Sequence, residues 1–130
     1  MFIAKFIDCM ATILVVDDES SIRELLSHLL RRVSTVITSH SLEDARTALL
    51  TDKFDLVISD LRLDGSNGRE GLELLRYIRE VSPDTKVILM SGYATEAIKE
   101  EAYGLGAACF MEKPINISHL FSKVQSLNAK

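Results

Sequence analysis

The chain has no basic block, no cysteine pair and no long apolar run, and each absence removes a class of function. Lys and Arg total 15 against 19 Asp and Glu, giving a net charge of -4, and the basic residues are scattered. A phosphate backbone needs a basic footprint, so direct DNA binding is not expected. Cys9 and Cys109 are the only cysteines, far apart, and neither falls in a CxxC or metal-ligand spacing. They read as free thiols in a reducing compartment. The apolar runs fall well short of the roughly 18 residues that cross a bilayer, so no membrane association is expected. The N-terminal stretch MFIAKFIDCM lacks the long apolar core and small-residue cleavage site of a signal peptide. Met10 could open the natural chain, with the first nine residues an upstream extension. The expected address is the cytoplasm. With no internal repeat, low-complexity tract or linker, the 130 residues read as one domain.

What is present is an alternation of short apolar runs with longer amphipathic stretches. Hydrophobic residues make up 47% and charged residues 26%, the balance of a soluble protein with a core. Strands are predicted at Thr12–Val16, Thr35–Ser39, Asp55–Ser59, Lys86–Met90 and Ala107–Met111. The second is the most polar and reads as an edge strand. Between and after them lie helical patterns. In the first, Ile22, Leu25, Leu26, Leu29 and Leu30 share one face. The second has Ser41 as N-cap. The third covers about Glu70–Val81 with Leu74, Leu75, Ile78 and Val81 inward. The fourth is thinly anchored by Ile98, Ala102 and Leu105, with Gly104 as C-cap. The fifth spans about Ile117–Leu127, with Ile117, Leu120, Phe121, Val124 and Leu127 inward. Five such units predict an α/β fold, a parallel sheet with helices on both faces and right-handed crossovers.

All strands of a parallel sheet point one way, so the residues after them gather at one edge, where α/β proteins bind ligands. That edge receives Asp17, Asp18 and Glu19 from strand one, Asp60 from strand three, Ser91 and Gly92 from strand four, and Lys113 and Pro114 from strand five. Crowded carboxylates raise one another's pKa and destabilise the fold unless a cation intervenes. All-oxygen ligands with room for water suit Mg2+, with Mn2+ as an alternative. Carboxylates, a divalent cation, a lysine, a hydroxyl and backbone N–H groups make a site for a phosphoryl group. Asp60 is the expected nucleophile, forming an acyl phosphate. Taken singly, Asp18 or Glu19 could instead cap the first helix, and Lys113 could be an ordinary surface lysine. His28, His40 and His119 read as surface or boundary residues.

The motifs VVDDE, VISD, LMSGY and MEKP, at consecutive strand ends, resemble those of the receiver domain of bacterial two-component response regulators. The resemblance covers about Thr12 to Leu127. It implies the flavodoxin-like doubly wound order 2-1-3-4-5, with a receiver over residues 12–128, an N-terminal extension over residues 1–11 and no output domain. It implies Asp60 as phosphoacceptor, with Mg2+ held by Asp18, Asp60 and the Arg62 backbone carbonyl and Asp17 acting through water. Ser91, Gly92 and Lys113 would bind the phosphoryl oxygens. Ser91 and Phe110 would be the switch pair, and Lys113–Pro114 would be a cis peptide. It further implies a stand-alone switch, not an enzyme beyond its own phosphorylation and slow dephosphorylation. The donor would be a sensor histidine kinase or histidine phosphotransfer protein. The output would be an effector protein, a homodimer or onward relay through the face of helix four, strand five and helix five. The chain departs from the pattern after Asp60. Leu63 and Asp64 stand where relatives carry Met-Pro, and the loop LRLDGSNGREG is longer, with Gly65 and Gly68 free to take positive φ.

Two other classes fit less well. A dehalogenase-type phosphatase needs a second Asp two residues after its nucleophile, where this chain has Arg62. A flavodoxin-like flavin module needs a Ser/Thr/Gly phosphate loop after strand one, where DDES would repel phosphate.

Overall fold

The structure is a computed structural model and describes residues 11–63 and 68–128. Asp64, Gly65 and the proposed extension up to Met10 lie outside the described residues. Five strands, β1 (Ala11–Val16), β2 (Ser34–Ser39), β3 (Leu56–Asp60), β4 (Lys86–Ser91) and β5 (Cys109–Glu112), alternate with five helices. These are α1 (Ser20–Leu30), α2 (Leu42–Thr51), α3 (Glu70–Val81), α4 (Glu96–Gly104) and α5 (Ile117–Asn128). The sheet is parallel, in the expected order β2-β1-β3-β4-β5.

The unbroken apolar runs of the central strands are explained by cores on both sheet faces. Alternate side chains point to opposite faces of a strand. Leu14, Val16, Val57, Val87 and Leu89 pack with Leu49, Leu72, Leu74, Leu75 and Ile78, from α2 and α3. Ile13, Val15, Leu56, Ile58, Ile88 and Met90 pack on the other face with Leu26, Leu30, Leu120 and Val124, from α1 and α5. Cys109 is a buried free thiol in the second cluster. Ser41 caps α2 as expected, its side chain accepting from the Asp44 amide.

Several boundaries and faces differ from the sequence reading. Ala11 belongs to β1, and β3 runs one residue later than predicted, so Asp60 is its last residue. β5 begins at Cys109, because Ala107 instead bonds back to the Ala102 carbonyl at the end of α4. Leu25 is 46% exposed, while Ser27 is buried. α1 is rolled towards Arg23 and Ser27, and Arg23 Nη1 reaches the Asp17 carbonyl at 2.6 Å, leaving Leu25 at the far margin of the face. Val81, the last residue of α3, is 45% exposed beyond the packed layer. Gly104 is the last residue of α4 rather than its cap. The positive φ after that helix belongs to Gly106, at 99°, where a Cβ would also displace the tip of the Arg79 side chain.

Candidate functional site

The register of the sheet assembles the site. Val16 is paired with Ser59, so the residues that follow them, Asp17 and Asp60, stand side by side. Asp60 is paired with Met90, and Ser91 with Glu112, immediately before Lys113. Asp17 is fully buried and Asp60 is 7% exposed. Asp17, Asp18 and Asp60 can each offer a carboxylate oxygen within 4.8 Å of the others. Lys113 Nζ donates to Asp60 Oδ2 at 2.9 Å and to Asp17 Oδ2 at 3.4 Å, and lies 3.8 Å from Glu19.

Backbone amides complete the arrangement. The Glu19 amide donates to Asp17 Oδ1 at 2.9 Å, and the Arg62 amide approaches Asp60 Oδ1 at 3.4 Å. Asp17 therefore bonds an amide one residue before α1 starts. Glu19, the N-cap residue of α1, makes no side-chain capping bond, so its carboxylate is left facing Lys113. The Lys113–Pro114 peptide is cis.

Electrostatics mark the two buried acids as uncomfortable. Burial pushes the Asp60 carboxyl above its ordinary value despite the hydrogen bond from Lys113. Burial also raises Asp17, helped by the charge of Asp60 and opposed by the Glu19 amide. Lys113 is pulled down by burial, but its bonds to Asp60 and Asp17 outweigh this and its pKa is raised. One lysine cannot neutralise three carboxylates. An all-oxygen donor set with surplus negative charge, partly desolvated, fits a hard divalent cation.

The remaining predicted residues are placed less directly. Ser91 is buried, and its hydroxyl accepts from the Tyr93 amide at 3.1 Å rather than turning to Asp60. Gly92 is exposed, and a Cβ there would meet nothing within 4 Å, so the position does not require glycine for space. Phe110 is not among the carboxylates. It is partly buried against the core on the α4 side of the sheet, and its amide donates to the Tyr103 hydroxyl at 3.0 Å.

Three supporting residues escaped the sequence reading. Arg23 braces the end of β1 through the Asp17 carbonyl. Glu70 is 2% exposed and accepts from the Leu63 amide at 3.3 Å. Gly71 lies against the end of β3 itself: a Cβ there would sit 2.7 Å from the Asp60 carbonyl oxygen and 2.8 Å from Leu61 Cα. Its amide donates to the Leu61 carbonyl at 2.8 Å. A glycine in the first turn of a strongly amphipathic helix is costly, and that cost was the available signal. Arg23 and Glu70 had none, since charged residues at helix starts are ordinary.

Comparison with known proteins agrees with this geometry. The family model for the response regulator receiver domain matches residues 13–125. The response regulator protein PilR of Pseudomonas aeruginosa is 38% identical over 109 residues, covering 82% of this chain and 24% of PilR. The transcriptional regulatory protein FixJ of Azorhizobium caulinodans is 31% identical over 116 residues, covering 86% of this chain and 52% of FixJ. The chain thus spans about a quarter to a half of the length of these relatives. A response regulator from Thermotoga maritima superposes with a TM-score of 0.80 at 29% identity, covering 93% of this chain and 99% of that one.

Proposed function

Since the chain belongs to the response regulator receiver family, we propose that it is a phosphorylation-controlled interaction switch with Asp60 as phosphoacceptor. The donor is a histidine kinase or histidine phosphotransfer protein. The observation that carries this reading is the meeting of Lys113 Nζ with the buried carboxylate of Asp60, 2.9 Å away, beside the acids of β1. A flavin phosphate would be repelled by the same three carboxylates.

An Asp60 oxygen attacks phosphorus. The phosphorus–nitrogen bond of the donor's phosphohistidine breaks, and its electron pair stays on the imidazole nitrogen. The product is an acyl phosphate. Asp18, Asp60 and the Arg62 carbonyl would hold Mg2+ or Mn2+, with Asp17 acting through water, and a bound cation would supply positive charge for the phosphoryl oxygens. Lys113, already at Asp60, supplies a fixed positive charge at the same place, and the chemistry needs little beyond positioning and charge. Ser91 turns from the Tyr93 amide to the phosphoryl group, and Phe110 moves beneath α4. The face of α4, β5 and α5 then changes shape for a partner protein. Among the described residues, no helix is long and apolar enough to cross a membrane. The output acts through non-covalent contact, and a pull-down with the isolated 130 residues is expected to capture an effector or a second copy only when the chain is phosphorylated.

Incubation with acetyl phosphate and Mg2+ tests the reading, and one phosphoryl group per chain is expected, with labelling prevented by chelation of the cation. Labelling that persists in chelator, or turnover of external phosphomonoesters, contradicts it. In thermal denaturation, Mg2+ at about 100 times its Kd should add about 2.7 kcal/mol of stability. No shift would remove the cation from the acid cluster. Lys113→Ala should reach the same labelling end point about 100-fold more slowly, through loss of a preorganised charge, and should lose the partner response. An unaltered partner response would take Lys113 out of the switch.

A further inference from the structure

α4 has few apolar anchors and several ion pairs along its length. Ala102 is its only buried residue, with Ile98 and Leu105 packing partly against the core. Its flanks are tied by ion pairs. Arg69 Nη2 contacts both oxygens of Glu101 at 2.7 Å, and Arg76 Nη2 reaches the same carboxylate at 3.1 Å. On the other flank Lys99 pairs with Glu112 at the end of β5 and lies 3.7 Å from Glu96. The Arg69 guanidinium holds the Glu101 carboxyl below its ordinary value, so the carboxylate is charged at neutral pH.

Arg69 occupies a particular place in the chain. It is the N-cap residue of α3, and the two residues after it grip the phosphoacceptor segment. Glu70 accepts from the Leu63 amide, and Gly71 donates to the Leu61 carbonyl. Three consecutive residues thus fasten the backbone just after Asp60 on one side and α4 on the other. Arg76 sits two helical turns further along α3, away from that segment, although it shares the same carboxylate.

We propose that residues 69–71 form a second link between the phosphorylation site and α4, through the Arg69–Glu101 ion pair. The proposal rests on the receiver reading of Asp60, and it does not pass through Ser91 or Phe110. Both contacts come from the single nitrogen Nη2, so the charge-assisted pair ties Arg69 to Glu101 in distance, and a shift of the backbone after Asp60 reaches Glu101 as a displacement. Coupling of this kind is reciprocal: altering the α4 end changes affinity at the acid cluster. In this arrangement the Ser91 hydroxyl is turned to the Tyr93 amide, and the ion pair is formed. The pair therefore favours the disengaged position of α4, and its loss favours the engaged one.

The test is a double-mutant cycle read by calorimetric titration with beryllofluoride in Mg2+. A cycle is needed because Arg69 has other partners as well. Glu101→Gln should tighten beryllofluoride binding about threefold, the scale of a partly exposed ion pair. Arg69→Met should do the same, the double variant should add nothing further, and Arg76→Met should leave the affinity unchanged. Unchanged affinity in Glu101→Gln, or an equal change in Arg76→Met, overturns the link and leaves α4 merely anchored. If the wild-type chain itself fails to bind beryllofluoride, the receiver reading falls and the link with it. Wild-type binding with silent variants removes the link alone.

Discussion

Asp60→Asn is expected to abolish labelling by acetyl phosphate and, without divalent cation, to make the protein more stable than the wild type. The first effect is the larger. Asn retains the shape and an acceptor oxygen, but its amide is no nucleophile, so no acyl phosphate forms. The second follows from the electrostatics. Asp60 and Asp17 both have pKa values raised above the ordinary 3.8 in the folded chain, chiefly by burial. An acid raised in this way binds its proton more tightly folded than unfolded. Stability therefore falls as pH climbs through the window above 3.8, and the loss persists at neutral pH. Lys113 works the other way. Its pKa is raised above 10.5, so the stabilisation it brings is complete at neutral pH and is lost only in strong alkali. Because Asp60 is raised even with Lys113 bonded to it, replacing its charge with a neutral amide is a net gain. Thermal melts in chelator should place Asp60→Asn above wild type, and Mg2+ should narrow or reverse the difference. A variant that melts below wild type in chelator would show that the Lys113 bond outweighs the crowding.

Gly71→Ala should be the most damaging single-methyl change near the site. The new Cβ would lie 2.7 Å from the Asp60 carbonyl oxygen and 2.8 Å from Leu61 Cα, both backbone atoms that cannot swing aside as a side-chain tip can. Either α3 moves outward or the end of β3 is displaced. Overpacking of this kind costs about 3 kcal/mol. For a chain of this size that is a fall of roughly 10 °C in Tm. Because the displaced atoms belong to Asp60 and its neighbour, labelling should slow along with the loss of stability. The contrast is Gly92→Ala, where a Cβ meets nothing within 4 Å and the melting point should stay near that of wild type. A Gly71→Ala protein with wild-type Tm and labelling rate would mean that the close approach is not maintained in solution.

The features behind these predictions are of unequal visibility in the sequence. The strands were readable because a short unbroken apolar run such as LVIS, bounded by polar residues, suits a central strand buried on both faces. The meeting of Asp17, Asp18, Asp60 and Lys113 was readable because parallel strands deliver their following residues to one edge, whatever the details of packing. The direction in which α1 faces was not. Its leucines span a wider arc than the sheet covers, and the outcome is decided by Arg23 bonding the Asp17 carbonyl, which periodicity does not register. The role of Gly71 is a tertiary approach between α3 and β3. The Arg69–Glu101 pair joins residues 32 positions apart, and no local pattern distinguishes them from other charged residues on solvated helix faces. Phe110 and Tyr103 meet through a backbone amide, a bond that side-chain type alone does not announce.

The central claim is that Asp60, held against Lys113 at the sheet edge, is the residue that takes the phosphoryl group. Intact-mass analysis after incubation with acetyl phosphate and Mg2+, followed by borohydride reduction of the acyl phosphate and peptide mapping, tests it most directly. One phosphoryl group per chain is predicted, with residue 60 recovered as the reduced product homoserine. A phosphoryl group mapped to a histidine, a serine or any acid other than Asp60 would contradict it, as would a chain that acquires none.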